Sequence, residues 1–104
     1  MLFRSTSVIA VTASSANTSV TAISPVNQFM IANTGSNAAF VNISTVSSVT
    51  AVVPTAGTPA AGFCIPAGAI KVVSAVQSSP TQTMYVAAIG LANTTLYITP
   101  GEGL

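Results

Sequence analysis

Gln28-Phe-Met-Ile-Ala-Asn-Thr-Gly-Ser-Asn-Ala-Ala-Phe-Val-Asn-Ile43 is the stretch from which the fold class follows. Two apolar runs flank the turn formers Asn33-Thr-Gly-Ser-Asn37, and this pattern predicts a β-hairpin. Gly35 is suited to the positive φ that such loops often need, and Asn33 and Asn37 can bond nearby backbone groups. With side chains alternating, Phe29 and Ile31 share one face and Met30 and Ala32 the other; Ala39, Val41 and Ile43 oppose Phe40 and Asn42. Neither face is polar enough to stay wet. Both are therefore expected to be covered, one by a second sheet and the other by a neighbouring subunit.

The rest of the chain repeats this grammar. Ser7 to Thr12 and Thr18 to Ile23 read as short strands or extended arms, separated by Ala13-Ser-Ser-Ala-Asn17. Ser47 to Val53 reads as a strand stopped by Pro54, and Pro54 to Gly62 as a surface loop suited to contacts. Phe63-Cys-Ile65 leads into Pro66-Ala-Gly68, which fits a turn with proline in second position. Ala69 to Val76 is expected to form a strand with Ile70, Val72, Ser74 and Val76 on one face and Lys71, Val73 and Ala75 on the other, Lys71 pointing outward. Met84 to Ile89 and Thr95 to Thr99, joined by Gly90-Leu-Ala-Asn93, predict a second hairpin that ends at Pro100. No window repeats apolar residues at helical spacing. The expectation is an all-β, two-sheet antiparallel sandwich, jelly-roll-like, of about eight short strands. Residues 1–26 form an N-terminal arm or edge strands and 27–104 the sandwich module.

Charge is the outlying property. Only Arg4, Lys71 and Glu102 are charged, 3% of the 104 residues, where ordinary domains carry about 25%. Ser, Thr and Asn keep the surface wet instead, and hydroxyls cost far less to desolvate than unpaired ions. A net charge of +1 opposes association little. Two cations are too few to displace counterions from a nucleic acid. Despite a mean hydropathy of +0.74, no apolar run approaches the ~20 residues of a membrane helix. The start, Met1-Leu-Phe-Arg4 before Val8-Ile-Ala-Val11, has too short an apolar run for a signal peptide.

Chemistry has few candidates. The chain has no His, one acid and one cysteine, so neither a carboxylate pair nor a Cys–His pair is available, and no zinc ligand set can be assembled. No catalytic, cofactor or metal site is expected. Cys64, between Phe63 and Ile65, reads as a buried small hydrophobe. The sequons at Asn17, Asn42 and Asn93 are expected by chance in so Asn- and Thr-rich a chain. Tyr85 and Tyr97 could face each other across the last hairpin as a platform for sugars, the basis of an alternative reading as a carbohydrate-binding module. Arg4 or Lys71 could pair with Glu102 of the same or a neighbouring chain.

Ile31-Ala-Asn-Thr-Gly-Ser-Asn-Ala-Ala-Phe-Val-Asn-Ile43, Pro54-Thr-Ala-Gly-Thr-Pro59, Ile65-Pro-Ala-Gly-Ala69, Met84-Tyr-Val-Ala-Ala-Ile89 and Leu96-Tyr-Ile-Thr-Pro-Gly-Glu-Gly-Leu104 together resemble small structural proteins of tailed bacteriophages. The likeness is greatest to head decoration or cement proteins and runs from Gln28 to Leu104. It implies a protein made in the host cytoplasm that oligomerises, as a dimer or trimer, on the outer surface of the phage head. There it would bridge major capsid proteins and stabilise the DNA-filled shell. A tail, collar or fibre subunit would look similar. Nucleic acid and membrane are not expected partners. The residues expected at contacts are Phe29, Met30, Phe40, Tyr85, Tyr97, Arg4, Lys71 and Glu102.

Overall fold

A computed structural model describes residues 2–3, 6–20, 28–74 and 84–102, in which nine strands form two antiparallel sheets and no helix occurs. The strands are β1 Leu2–Phe3, β2 Ser7–Val11, β3 Ala16–Val20, β4 Gln28–Asn33, β5 Ala39–Ser44, β6 Phe63–Ile65, β7 Ile70–Ser74, β8 Met84–Gly90 and β9 Thr94–Glu102. One sheet runs β1-β9-β4-β7 with β2 also on β9; the other runs β3-β8-β5-β6. The all-β, two-sheet sandwich expected from the sequence is the observed architecture. Residues 7–20 supply an edge strand to each sheet, and Ile9 and Val11 of β2 belong to the core.

The core lies between the sheets because each strand alternates. Ile9, Val11, Phe29, Ile31, Leu96 and Ile98 of the first sheet meet Ala39, Val41, Ile65, Met84, Val86 and Ala88 of the second. All of these are buried, and full burial of a side chain of this size contributes about 1.5–3 kcal/mol.

Neither expected hairpin forms. β4 and β5 lie in different sheets, as do β8 and β9, so both connections cross from one sheet to the other. The physical reason is that Phe29 and Ile31 face Ala39 and Val41 across the core, which buries both apolar rows; pairing side by side would bury one face only. Gly35 has no positive φ. Its requirement is closeness: a Cβ there would run into the Thr94 side chain. The strands instead pair with distant ones: β2 with β9, β3 with β8, β4 with β7 and β5 with β6, while β4 also pairs β9 and β5 also pairs β8.

Three further expectations are corrected. Residues 47–53 are not a strand; their backbone is taken by side chains instead of a ladder. The turn after β6 exists, but Ala69 N–H donates to Pro66 O at 3.1 Å, so proline is its first residue, and Gly68 supplies φ 73 at the third. Pro100 does not end β9, which continues to Glu102. Pro100 falls between Ile98, opposite β2, and Gly101, opposite β1, where the ladder on that side is interrupted among the described residues.

Candidate interaction surface

The two outer faces of the sandwich are treated differently by the chain. On the β3-β8-β5-β6 sheet the outward residues include Phe40, Asn42, Tyr85, Ala87 and Ile89. Residues 45–62 cross this face as a strap: Val49 and Ala51 are buried with Ala87, and Tyr85 and Ile89 pack beside them. Polar side chains hold the strap in place. Asn17 Nδ2 donates to Ser47 O and Val49 O, both at 3.2 Å, and Asn42 Nδ2 donates to Thr50 O at 3.1 Å. Ala51 N–H donates to Ser15 Oγ at 2.9 Å. Each anchor satisfies a group that an irregular segment would otherwise leave to solvent.

The outer face of the other sheet has no such cover among the described residues. Pairing aligns Ile70, Ala32, Tyr97 and Val8 in one row across β7, β4, β9 and β2, with Val72, Met30 and Thr99 in the next. Ile70 is 65% exposed, Val8 53%, Val72 50% and Tyr97 41%, so a large part of each side chain remains in water. Thr99 is buried and shares a 2.8 Å hydrogen bond with the Thr6 hydroxyl. No charged side chain stands on this face among the described residues. Large exposed apolar patches of this type mark interaction sites.

Lys71 reverses the expected orientation of β7. It pairs with Ile31 and shares a face with Val73, which packs on the core, so Lys71 belongs to the inward row at the sheet's edge and reaches solvent there. The outward row is Ile70 and Val72. An inward-facing charge on an edge strand opposes pairing with further strands.

Of the residues expected at contacts, Met30 is half-buried and Tyr97 exposed on the uncovered face. Phe29 is a core residue, 1% exposed, and has no surface to offer. Phe40 and Tyr85 are half-buried on the strapped face. Tyr85 and Tyr97 sit on different sheets and point to opposite sides of the sandwich, so the two-tyrosine sugar platform does not exist. Glu102 ends β9 opposite Leu2, and Arg4 lies outside the described residues. Sequence reasoning missed Val8, Ile70 and Val72. Their signal was an apolar outward row on both edge strands, visible only once the inward row is known.

Two concavities border the strap side. An open cleft of about 720 Å³ between β5, β6 and β7 is lined by Ile43, Phe63, Val73 and Met84 together with Ser44 and Ser74. A smaller cavity of about 150 Å³ lies under the strap, where the half-buried Cys64 thiol meets Phe40, Val52 and Pro54. Neither brings two titratable groups together. No group of three metal-ligating side chains occurs among the described residues, and no helix there is long and apolar enough to cross a membrane.

The buried polar cluster is structural. Asn33 Nδ2 donates to Asn37 O at 2.9 Å and to Ile65 O at 3.0 Å, while Asn33 Oδ1 accepts from Thr94 Oγ1 at 2.6 Å and from Gly35 N–H at 3.2 Å. One side chain thus ties both crossing connections to β6, and its full hydrogen-bonding capacity is used. No protein-family model matches the chain, and no curated protein was found to be similar to it.

Proposed function

We propose that this chain is a structural subunit of a virion: a head decoration or cement protein that self-associates and binds major capsid protein on the outer surface of a tailed-phage head. The observation that carries the assembly part is the exposure of Val8, Tyr97, Ile70 and Val72 on an outer face where, among the described residues, nothing covers them and no charged side chain stands. The phage part rests on the sequence likeness between Gln28 and Leu104. The nested pairing of β2 with β9, β3 with β8, β4 with β7 and β5 with β6 is that of a long hairpin rolled on itself, and we read the sandwich as a jelly roll. Capsid and lectin domains use this architecture.

The mechanism is linkage. A protein that binds the assembled shell and not its separated subunits stabilises the shell by mass action, and apolar burial supplies the binding energy. This reading includes no catalytic step, cofactor, nucleic acid or membrane. With three charged side chains per chain, attachment gains little from ion pairing. Particles moved from low to moderate salt are expected to retain the protein; release over that range contradicts the reading.

The deciding experiment is the copy number of this chain in purified virus particles, by quantitative mass spectrometry against the major capsid protein. Tens to hundreds of copies in a simple ratio to capsid subunits support a place on the shell. A handful moves the chain to the tail, collar or fibres, and absence from particles overturns both.

A further inference from the structure

We infer that the outer face of the β1-β9-β4-β7 sheet, on which Val8, Ile70, Val72 and Tyr97 stand exposed, is a two-fold interface between two copies of this chain, with Tyr97 of each copy seated over Ala32 of the other. The inference rests on the self-association part of the function proposed above and is independent of its viral part.

Shape is the first argument. In the row Ile70, Ala32, Tyr97, Val8, alanine makes a notch between two large side chains, and its ladder partner Tyr97 makes the adjoining ridge. A two-fold axis lying in the interface and parallel to the strands exchanges β4 with β9 and β7 with β2. It therefore sets ridge over notch twice, and Ile70 over the partner's Val8 twice. A face that fits itself under one rotation is what an isologous dimer requires. The two copies' mean strand directions then coincide, within the roughly 30° that aligned sheet packing spans.

Charge is the second. A partner carrying ionised groups would bury them against a surface with no counter-charge, which is costly. Among its described residues a second copy brings none to this face, because Lys71 belongs to the opposite row.

Area sets the strength. Four strands of about five residues, at ~4.8 Å between strands and ~3.3 Å per residue, cover roughly 300 Å² of plane. The pair then lies in the low range of interfaces, below about 1,200 Å² in total. A reversible dimer that dissociates on dilution through the micromolar range is expected.

Sedimentation velocity over a dilution series tests the dimer, and crosslinking tests its symmetry. Ala32→Glu, which fills and charges the notch, and Val72→Lys, at an exposed position that tolerates lysine, are each expected to weaken self-association at least tenfold. Circular dichroism and thermal melting check that both stay folded. In a Cys64→Ser background, Ala32→Cys chains mixed with Tyr97→Cys chains are expected to crosslink through a short bis-maleimide faster than either variant does alone. A monomer at all concentrations overturns the inference, as does a dimer indifferent to both charge variants. Faster crosslinking of like with like also overturns it. Each of these leaves the virion copy number untouched, whereas absence from virus particles sinks the viral reading without altering the dimer.

Discussion

Asn33 is the residue on which most of the buried polar order depends. Asn33→Ala would leave the Ile65 carbonyl, the Thr94 hydroxyl and the Gly35 N–H without their partner in a buried corner. A loss of about 2–4 kcal/mol is expected, read as a lower denaturant midpoint at unchanged slope. Gly35→Ala tests the same corner by steric means, since its Cβ meets Thr94; a cost of about 1–3 kcal/mol is expected, against under about 0.5 for Ser36→Ala on the exposed side of the loop. The sequence made Asn33 and Gly35 stand out as turn residues; Gly35 lies in the β4–β5 connection, and Asn33 is the last residue of β4. Their roles were not readable, because those roles are fixed by Ile65 and Thr94, far away in the chain. Phe29 shows the converse: an aromatic residue in a low-charge chain reads equally well as core or contact. Phe29→Ala is expected to cost about 3–5 kcal/mol, the signature of a core position.

At the level of elements, strand existence was legible and strand partnership was not. Local pattern alone places strands at 28–32, 39–43, 84–89 and 95–99, and these fall within β4, β5, β8 and β9. Whether two neighbours pair edge to edge or face each other across a core depends on where the other strands go. A short loop of turn formers serves either outcome. Residues 47–53 of the strap were misread for a related reason: Val49, Val52 and Val53 give a strand-like pattern, yet the segment is held by side chains of Ser15, Asn17 and Asn42, while 54–62 is the exposed loop expected. Loosening it should be measurable. Asn42→Ala removes the bond to Thr50 O and is expected to cost about 1 kcal/mol. The same change should speed labelling of Cys64 by a thiol reagent, because the thiol lines the cavity beneath Val52 and Pro54. Unchanged labelling would mean that the strap holds without that anchor.

For the molecule as a whole, composition raises the expectation of assembly: three charged side chains and a hydroxyl-rich surface make a chain that is cheap to cover. On one face of the sandwich Val8, Ile70, Val72 and Tyr97 stand exposed, with no cover among the described residues. Topology also sets the kinetics. Apart from β5 with β6, whose ends Ser44 and Phe63 close the shortest loop, every pair in the nest joins residues far apart in sequence. Such chains fold in milliseconds to seconds, and stopped-flow refolding is expected to fall in or below that range. The outermost layer of the nest has one more consequence. Leu2 lies opposite Glu102, so the described chain enters and leaves the first sheet at one place. Joining those two points with a short flexible linker and opening the chain at Gly57, in the exposed Thr55–Thr58 turn, would give a circular permutant with the same two sheets. Foreign peptides attached next to Leu2 and next to Glu102 would, by the same geometry, be displayed side by side.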